Sequence, residues 1–215
     1  MQELTSVTGM IIKAVPIGEY DRRLVLLTKE RGKITVFARG ARKPNSRFVA
    51  STNLFCFGTF KLYAGRDAYT LSEAEITNYF EELRMDFEGA YYGMYFLEIA
   101  DYYTRENNDE REMLKLLYQS LRAISVPALS NYLVRAVYEM KAVIVNGEFP
   151  GIPQGKNYLP STEYAVDYIV NSSIEKLYTF TVNEQVLWEL RGIAAKICKM
   201  CLQTGFKSLE ILDTL

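Results

Sequence analysis

The chain has 215 residues, 49% of them apolar and 24% charged, with a formal net charge of −1. That length fits one large domain or two small ones, and the apolar share excludes a disordered chain. Histidine is absent, which excludes His-based triads, His metal ligands and the usual near-neutral proton shuttle. Carboxylates, Lys and Cys remain as catalytic groups, so the composition weighs against an enzyme without excluding one.

Five strands are predicted first, over 7–14, 20–29, 33–39, 53–64 and 68–76, each rich in Val, Ile, Thr, Phe and Tyr. The connections carry turn residues: Pro16-Ile17-Gly18, Arg31-Gly32, Pro44-Asn45-Ser46 and Gly65-Arg66-Asp67. Five strands in this span match a small closed barrel of the OB type. Strand count alone fits an SH3-like barrel nearly as well.

After about residue 80 the apolar period becomes helical. Four stripes follow: Tyr92, Tyr95/Phe96, Ile99 and Tyr102/Tyr103; then Leu117, Leu121 and Ile124, with Asn108 and Asp109 as N-cap candidates; then Leu129, Leu133, Val137, Met140 and Ile144; then Val186, Leu190, Ile193, Ile197 and Cys201. A Gly/Pro loop at 146–160 separates the last two. The expected architecture is α+β: an N-terminal five-stranded OB-fold barrel over 1–80 and an all-helical domain over 81–215.

No uncharged run reaches the roughly 18 residues of a membrane span. The first ten residues lack the layout of a signal peptide, so a soluble cytoplasmic protein is expected. The three cysteines, Cys56, Cys198 and Cys201, do not suggest a disulfide framework. Cys198 and Cys201 stand three apart inside a helical stripe and read as core residues. No phosphate-cradling glycine motif occurs, and no cofactor is expected.

The charge is divided between the halves. Residues 1–80 hold 12 Lys and Arg against 7 Asp and Glu, whereas residues 81–215 hold 13 against 19. Within 13–47 there are 10 basic and 3 acidic residues. The third strand puts Lys33, Thr35, Phe37 and Arg39 on one face and Ile34, Val36 and Ala38 on the other. Arg42, Lys43 and Arg47 follow in an acid-free loop. Cations interleaved with an aromatic ring suit single-stranded nucleic acid. The same pattern also fits a solvated basic edge that keeps the barrel soluble. Arg22 and Arg23 are weaker candidates for the same contacts, because they follow Glu19 and Asp21, and pairing with those acids is the alternative reading.

The order of features resembles the bacterial recombination-mediator family RecO. The resemblance is carried by Glu19-Tyr20-Asp21, by the Thr28-Lys29-Glu30-Arg31-Gly32 turn, and by Ala38-Arg39-Gly40-Ala41-Arg42 with Ser46-Arg47. It is specific over 9–48 and rests mainly on layout beyond 80. The resemblance implies a non-enzymatic protein that binds single- and double-stranded DNA and anneals complementary strands. It also implies action with RecR to load RecA onto DNA coated by single-strand-binding protein (SSB), whose acidic C-terminal tail is a further partner. Lys33, Arg39, Arg42, Lys43 and Arg47 then become DNA contacts, with Phe37 as a stacking ring. Many members hold a four-cysteine zinc site between the later helices; the matching stretch here has no cysteine, so no zinc is expected. A basic pocket for the tail is expected near Arg191, Lys196, Lys199 and Lys207. The competing readings are an RNA-binding OB or SH3-like protein and a protein–protein adaptor without nucleic-acid affinity.

Overall fold

The computed structural model describes residues 4–155 and 157–214. Two compact units result: residues 1–81 with 100–114, and residues 82–99 with 115–215.

The first unit is built on strands β1 (Leu4–Ile17), β2 (Asp21–Thr28), β3 (Gly32–Ala38), β4 (Phe57–Ala64) and β5 (Tyr69–Asn78). They close into a barrel in the order β1-β2-β3-β5-β4. All pairings are antiparallel except β3 with β5, where Val36 faces Tyr69 and Phe37 faces Thr70 in a parallel register. That order is the OB arrangement, and the SH3-like alternative falls away. The barrel core holds Val7, Ile11, Leu24, Leu26, Ile34, Val36, Phe60, Leu62 and Leu71, all buried. Each such side chain contributes about 1.5–3 kcal/mol by leaving water.

Strand alternation on β3 is realised: Ile34, Val36 and Ala38 are buried, and Phe37 and Arg39 are exposed. Gly9 and Gly58 face each other across β1 and β4. A Cβ on Gly9 would stand 2.3 Å from the Leu27 carbonyl oxygen, and one on Gly58 would stand 2.1 Å from that of Glu75. The strands can approach this closely only where no side chain intervenes.

β4 begins at Phe57, not at residue 53. Residues 47–52 form successive turns instead of extending the strand. Arg22 fixes their end, donating to the Thr52 carbonyl at 2.9 Å and to Asn53 Oδ1 at 2.9 Å. Phe55, at φ 70°, then turns the chain into β4.

The helices are α1 (Glu81–Met85), α2 (Phe87–Tyr103), α3 (Arg111–Ile124), α4 (Asn131–Val145), α5 (Pro160–Asn171), α6 (Glu184–Cys201) and α7 (Lys207–Leu212). Residues 100–103 of α2 belong to the first unit, where Lys33 N–H donates to the Arg105 carbonyl at 3.0 Å. The second unit buries Tyr92, Tyr95, Phe96, Ile99, Leu117, Leu121, Leu133, Val137, Leu190 and Ile193. The Phe96 and Tyr138 rings stack at 4.1 Å, and the Tyr138 hydroxyl donates to the Phe96 carbonyl at 2.8 Å.

The helices depart from the sequence pattern in several places, α1 and α7 among them, which match none of the four expected stripes. Leu129 precedes α4, whose N-cap is Ser130. Helix α5 has no counterpart among the expected elements; it starts with Pro160 in its first turn, where a missing N–H costs nothing. Buried charges hold both its ends. Glu189 accepts from Leu159 N–H at 3.0 Å and from Thr162 Oγ1 at 2.6 Å. The Lys141 ammonium donates to the carbonyls of Ile169, Val170 and Ser172 at 2.9–3.0 Å. Negative charge at a helix start and positive charge at its end both oppose the helix dipole favourably. The loop before α5 includes Lys156, which lies outside the described residues.

Candidate nucleic-acid interface

The β3–β4 loop leaves the barrel at Arg39 and folds against the β1–β2 loop. Asp21 Oδ1 accepts from the Gly40 N–H at 2.7 Å, and Arg42 N–H donates to the Tyr20 carbonyl at 2.8 Å. Gly40 sits at φ 65°, a left-handed conformation that glycine takes without a Cβ penalty. The Glu19-Tyr20-Asp21 segment is thus the brace of the basic loop. Charge alternation did not foresee that role, because a backbone N–H acceptor leaves no periodic signal.

The six candidate contacts divide into two kinds. Arg39 is exposed and has no partner among the described residues. The Arg42 guanidinium donates to the carbonyls of Gly18 at 3.4 Å and Glu19 at 3.2 Å. Arg47 donates to the Ser72 carbonyl and lies over the Phe48 ring at 4.8 Å. The Lys43 ammonium is 5.6 Å from the Tyr20 ring centroid. Phe37 is 37% exposed. None of these four cations forms an ion pair among the described residues; Arg42, Lys43 and Arg47 meet carbonyls or rings, and Arg39 meets neither.

Lys33 is different. Its ammonium donates to Asp101 Oδ1 at 3.0 Å and to the Asp101 carbonyl at 2.7 Å, while Lys13 reaches Asp101 Oδ2 at 2.6 Å. Burial pushes the Asp101 carboxyl up, but the bonds from Lys13 and Lys33 outweigh it and hold the group below the usual carboxylate range.

Arg22 anchors the loop at residues 52 and 53, and Asp21 serves Gly40. Arg23 stays exposed beside Phe37, its register partner on β3. Lys61 pairs with Glu73 across β4 and β5 at 2.8 Å, and that bond, with a smaller contribution from Arg47, lowers the Glu73 carboxyl.

The second unit carries a cleft of about 530 Å³ lined by Arg135, Arg191 and Lys196, by Glu139, Glu189 and Asp213, and by the rings of Tyr132, Tyr158 and Trp188. Arg191 lies 4.0 Å over the Tyr132 ring, and Trp188 is 65% exposed. Arg135 is committed inward: its Nε donates to Glu139 Oε1 at 2.8 Å, and the Tyr95 hydroxyl donates to the same oxygen at 2.7 Å. Arg191 and Lys196 thus share a cleft, whereas Lys199 and Lys207 are exposed outside its lining. Sequence periodicity did not point to Tyr132 or Trp188, which lie off the apolar stripes of α4 and α6.

Burial pushes the Cys198 thiol well up, and Cys201 Sγ lies 3.7 Å from the Glu148 carbonyl oxygen. Such thiols stay protonated and are poor nucleophiles. Among the described residues, no three His, Cys, Asp or Glu side chains are grouped to hold a metal ion. No helix among them is long and apolar enough to cross a membrane.

A closed OB barrel with a braced basic loop, followed by a helical unit with a cleft of mixed charge, defines the class of protein. Residues 1–80 match the family model described as recombination protein O N terminal, and residues 84–152 match recombination protein O C terminal. The chain belongs to the recombination protein O family. It is 28% identical to the DNA repair protein RecO of Acetivibrio thermocellus, over 97% of this chain and 96% of the relative. It is also 28% identical to that of Clostridium perfringens, over 95% of each chain. The RecO of Symbiobacterium thermophilum is 34% identical over 69% of this chain and 59% of its own length.

Proposed function

We propose that this protein is a non-enzymatic mediator of recombinational DNA repair, acting in the cytoplasm. Its barrel binds single- and double-stranded DNA and brings complementary strands together. With RecR it helps load RecA onto DNA coated by SSB. Family membership supports the role. The observation that carries the binding mode is the cluster of exposed cations, Arg39, Arg42, Lys43 and Arg47, beside Phe37 in a chain of net charge −1.

The mechanism is electrostatic. Fixed cations neutralise phosphates and release counterions, so affinity falls steeply with salt. Two strands held by one protein, or by neighbouring copies, meet at a raised local concentration and pair without covalent chemistry. Lys33 is left out of the contact set, because Asp101 already compensates its ammonium. The acidic SSB tail is assigned to the helical cleft, where Arg191 and Lys196 meet its carboxylates and Trp188 meets its apolar part.

Fluorescence anisotropy with labelled oligonucleotides across a salt series tests the barrel. Loss of affinity in an Arg39→Glu, Arg42→Glu, Lys43→Glu variant that still folds supports the surface; unchanged affinity refutes it. Strong preference for RNA over matched DNA favours the RNA-binding reading. No affinity for either at low salt favours the adaptor.

A further inference from the structure

A row of outward side chains crosses the barrel perpendicular to its strands, close to the β1–β2 and β4–β5 loops. Register places Val15 opposite Arg23, Arg23 opposite Phe37, Phe37 opposite Thr70, Thr70 opposite Tyr63, and Tyr63 opposite Leu4. Directly paired residues share a sheet face. The residues one step along, Leu24, Val36, Leu62 and Leu71, are core, so the row itself faces outward. Exposure agrees: Phe37 is 37% and Tyr63 38% accessible, and Arg23 is exposed.

The row therefore reads cation, ring, hydroxyl, ring from β2 to β4. Phe37 and Tyr63 stand two strand spacings apart, about 10 Å at roughly 4.8 Å per strand. In a duplex the base faces are covered by one another, so rings on a protein surface can stack only on bases that are unpaired and splayed. A phosphate-binding loop makes no such distinction, because both strand forms present the same backbone.

We infer that this row is a single-strand path: one base stacks on Phe37, a base farther along the same strand stacks on Tyr63, and Arg23 neutralises the phosphate beside Phe37. The inference rests on the reading of the barrel as the nucleic-acid surface. It adds Arg23 and Tyr63 to that surface and gives the strand a direction across β2, β3, β5 and β4. The row supplies preference for unpaired DNA, and the Arg39–Arg47 loop supplies binding common to both forms.

The test uses the full chain and three labelled probes of equal length: oligo(dT), the same strand with abasic sites at its centre, and a duplex. Phe37→Ala and Tyr63→Ala are each expected to weaken oligo(dT) binding about tenfold. They should leave duplex binding within about twofold, and remove the wild-type preference for oligo(dT) over the abasic strand. Tyr63→Trp should keep that preference. In the wild-type protein, a strand carrying 5-iododeoxyuridine should photocrosslink to Phe37 and Tyr63, as mapped by mass spectrometry. Equal loss on all three probes, or crosslinks confined to the 39–47 loop, overturns the path while leaving the barrel reading standing. A wild-type protein that binds none of the probes overturns both.

Discussion

The Lys33 ammonium lies 3.0 Å from Asp101 Oδ1, so the first cation of the third strand is bound to an acid from the end of α2. Four other cations on that strand and its loop, Arg39, Arg42, Lys43 and Arg47, form no ion pair among the described residues, and only Arg47 reaches an acid at longer range, Glu73. Lys33→Gln should therefore lower the thermal midpoint while leaving DNA affinity within about threefold. Arg39→Glu with Lys43→Glu should do the reverse, with an affinity loss beyond tenfold. The plot of log affinity against log salt should become shallower by about one unit per phosphate contact removed. Anisotropy and thermal melts on the same preparations separate the two effects.

Asp101 also sets an acid limit on stability. Its carboxyl is held below the ordinary range in the folded state, so the folded protein gains from its ionised form. That gain is complete above the unfolded value, about 3.9, and is lost as pH falls through the lower folded value. The midpoint difference between wild type and Asp101→Asn should be constant near neutrality. It should shrink below about pH 4, as read by melts over a pH series. A difference that grows on acidification would contradict the assignment.

Gly9 and Gly58 predict opposite behaviour from Gly192. A methyl group at either of the first two would meet a backbone oxygen at 2.1–2.3 Å, and such overpacking costs about 1–3 kcal/mol or more. Gly192 lies inside α6 with open space around it, so Gly192→Ala should stabilise by about 0.4–1 kcal/mol. Chemical denaturation of Gly9→Ala, Gly58→Ala and Gly192→Ala checks the sign at each site.

Helix α5 depends on its two buried charges. Lys141→Met removes the donor from the buried Ile169 carbonyl and from the half-buried carbonyls of Val170 and Ser172; an unsatisfied buried group costs about 1–3 kcal/mol, and the half-buried two cost less. Glu189→Gln, which keeps an acceptor, should cost less than Glu189→Leu. Hydrogen exchange should show the loss first in residues 160–171. Uniform loss across the second unit would mean that α5 is not a separate point of weakness.

Trp188 is the one tryptophan and stands at the helical cleft, so its emission reports on a ligand there. Titration with an acidic SSB-tail peptide should shift that emission. Arg191→Glu with Lys196→Glu should weaken the titration at least about tenfold. An unchanged titration in the variant would falsify the cleft as the docking site.

Much of the barrel was legible because its signal is local. Period-two alternation and turn residues mark β1, β2, β3 and β5, and strand count restricted the closure to a few small barrels. What stayed hidden was set by long-range partners. Residues 53–56 have strand-like composition, yet the turns at 47–52 and the Arg22 anchor claim that stretch. Helix α5 begins beside a Gly/Pro loop, and its end charges come from α4 and α6, far away in sequence. The same holds at the surface. Alternation identified Phe37 and the loop cations, but only register could align Tyr63 with Phe37 across β5, and only the fold could bring Asp101 to Lys33.

Arg42 and Arg47 each donate to main-chain oxygens, those of Gly18 and Glu19 for the first and of Ser72 for the second, so both side chains are directed while no carboxylate is bound to either among the described residues. If the proposed DNA contacts hold, side chains directed in this way have less rotamer entropy to surrender on binding than free ones would. A preorganised charge array of this kind favours rapid capture over slow, induced adaptation.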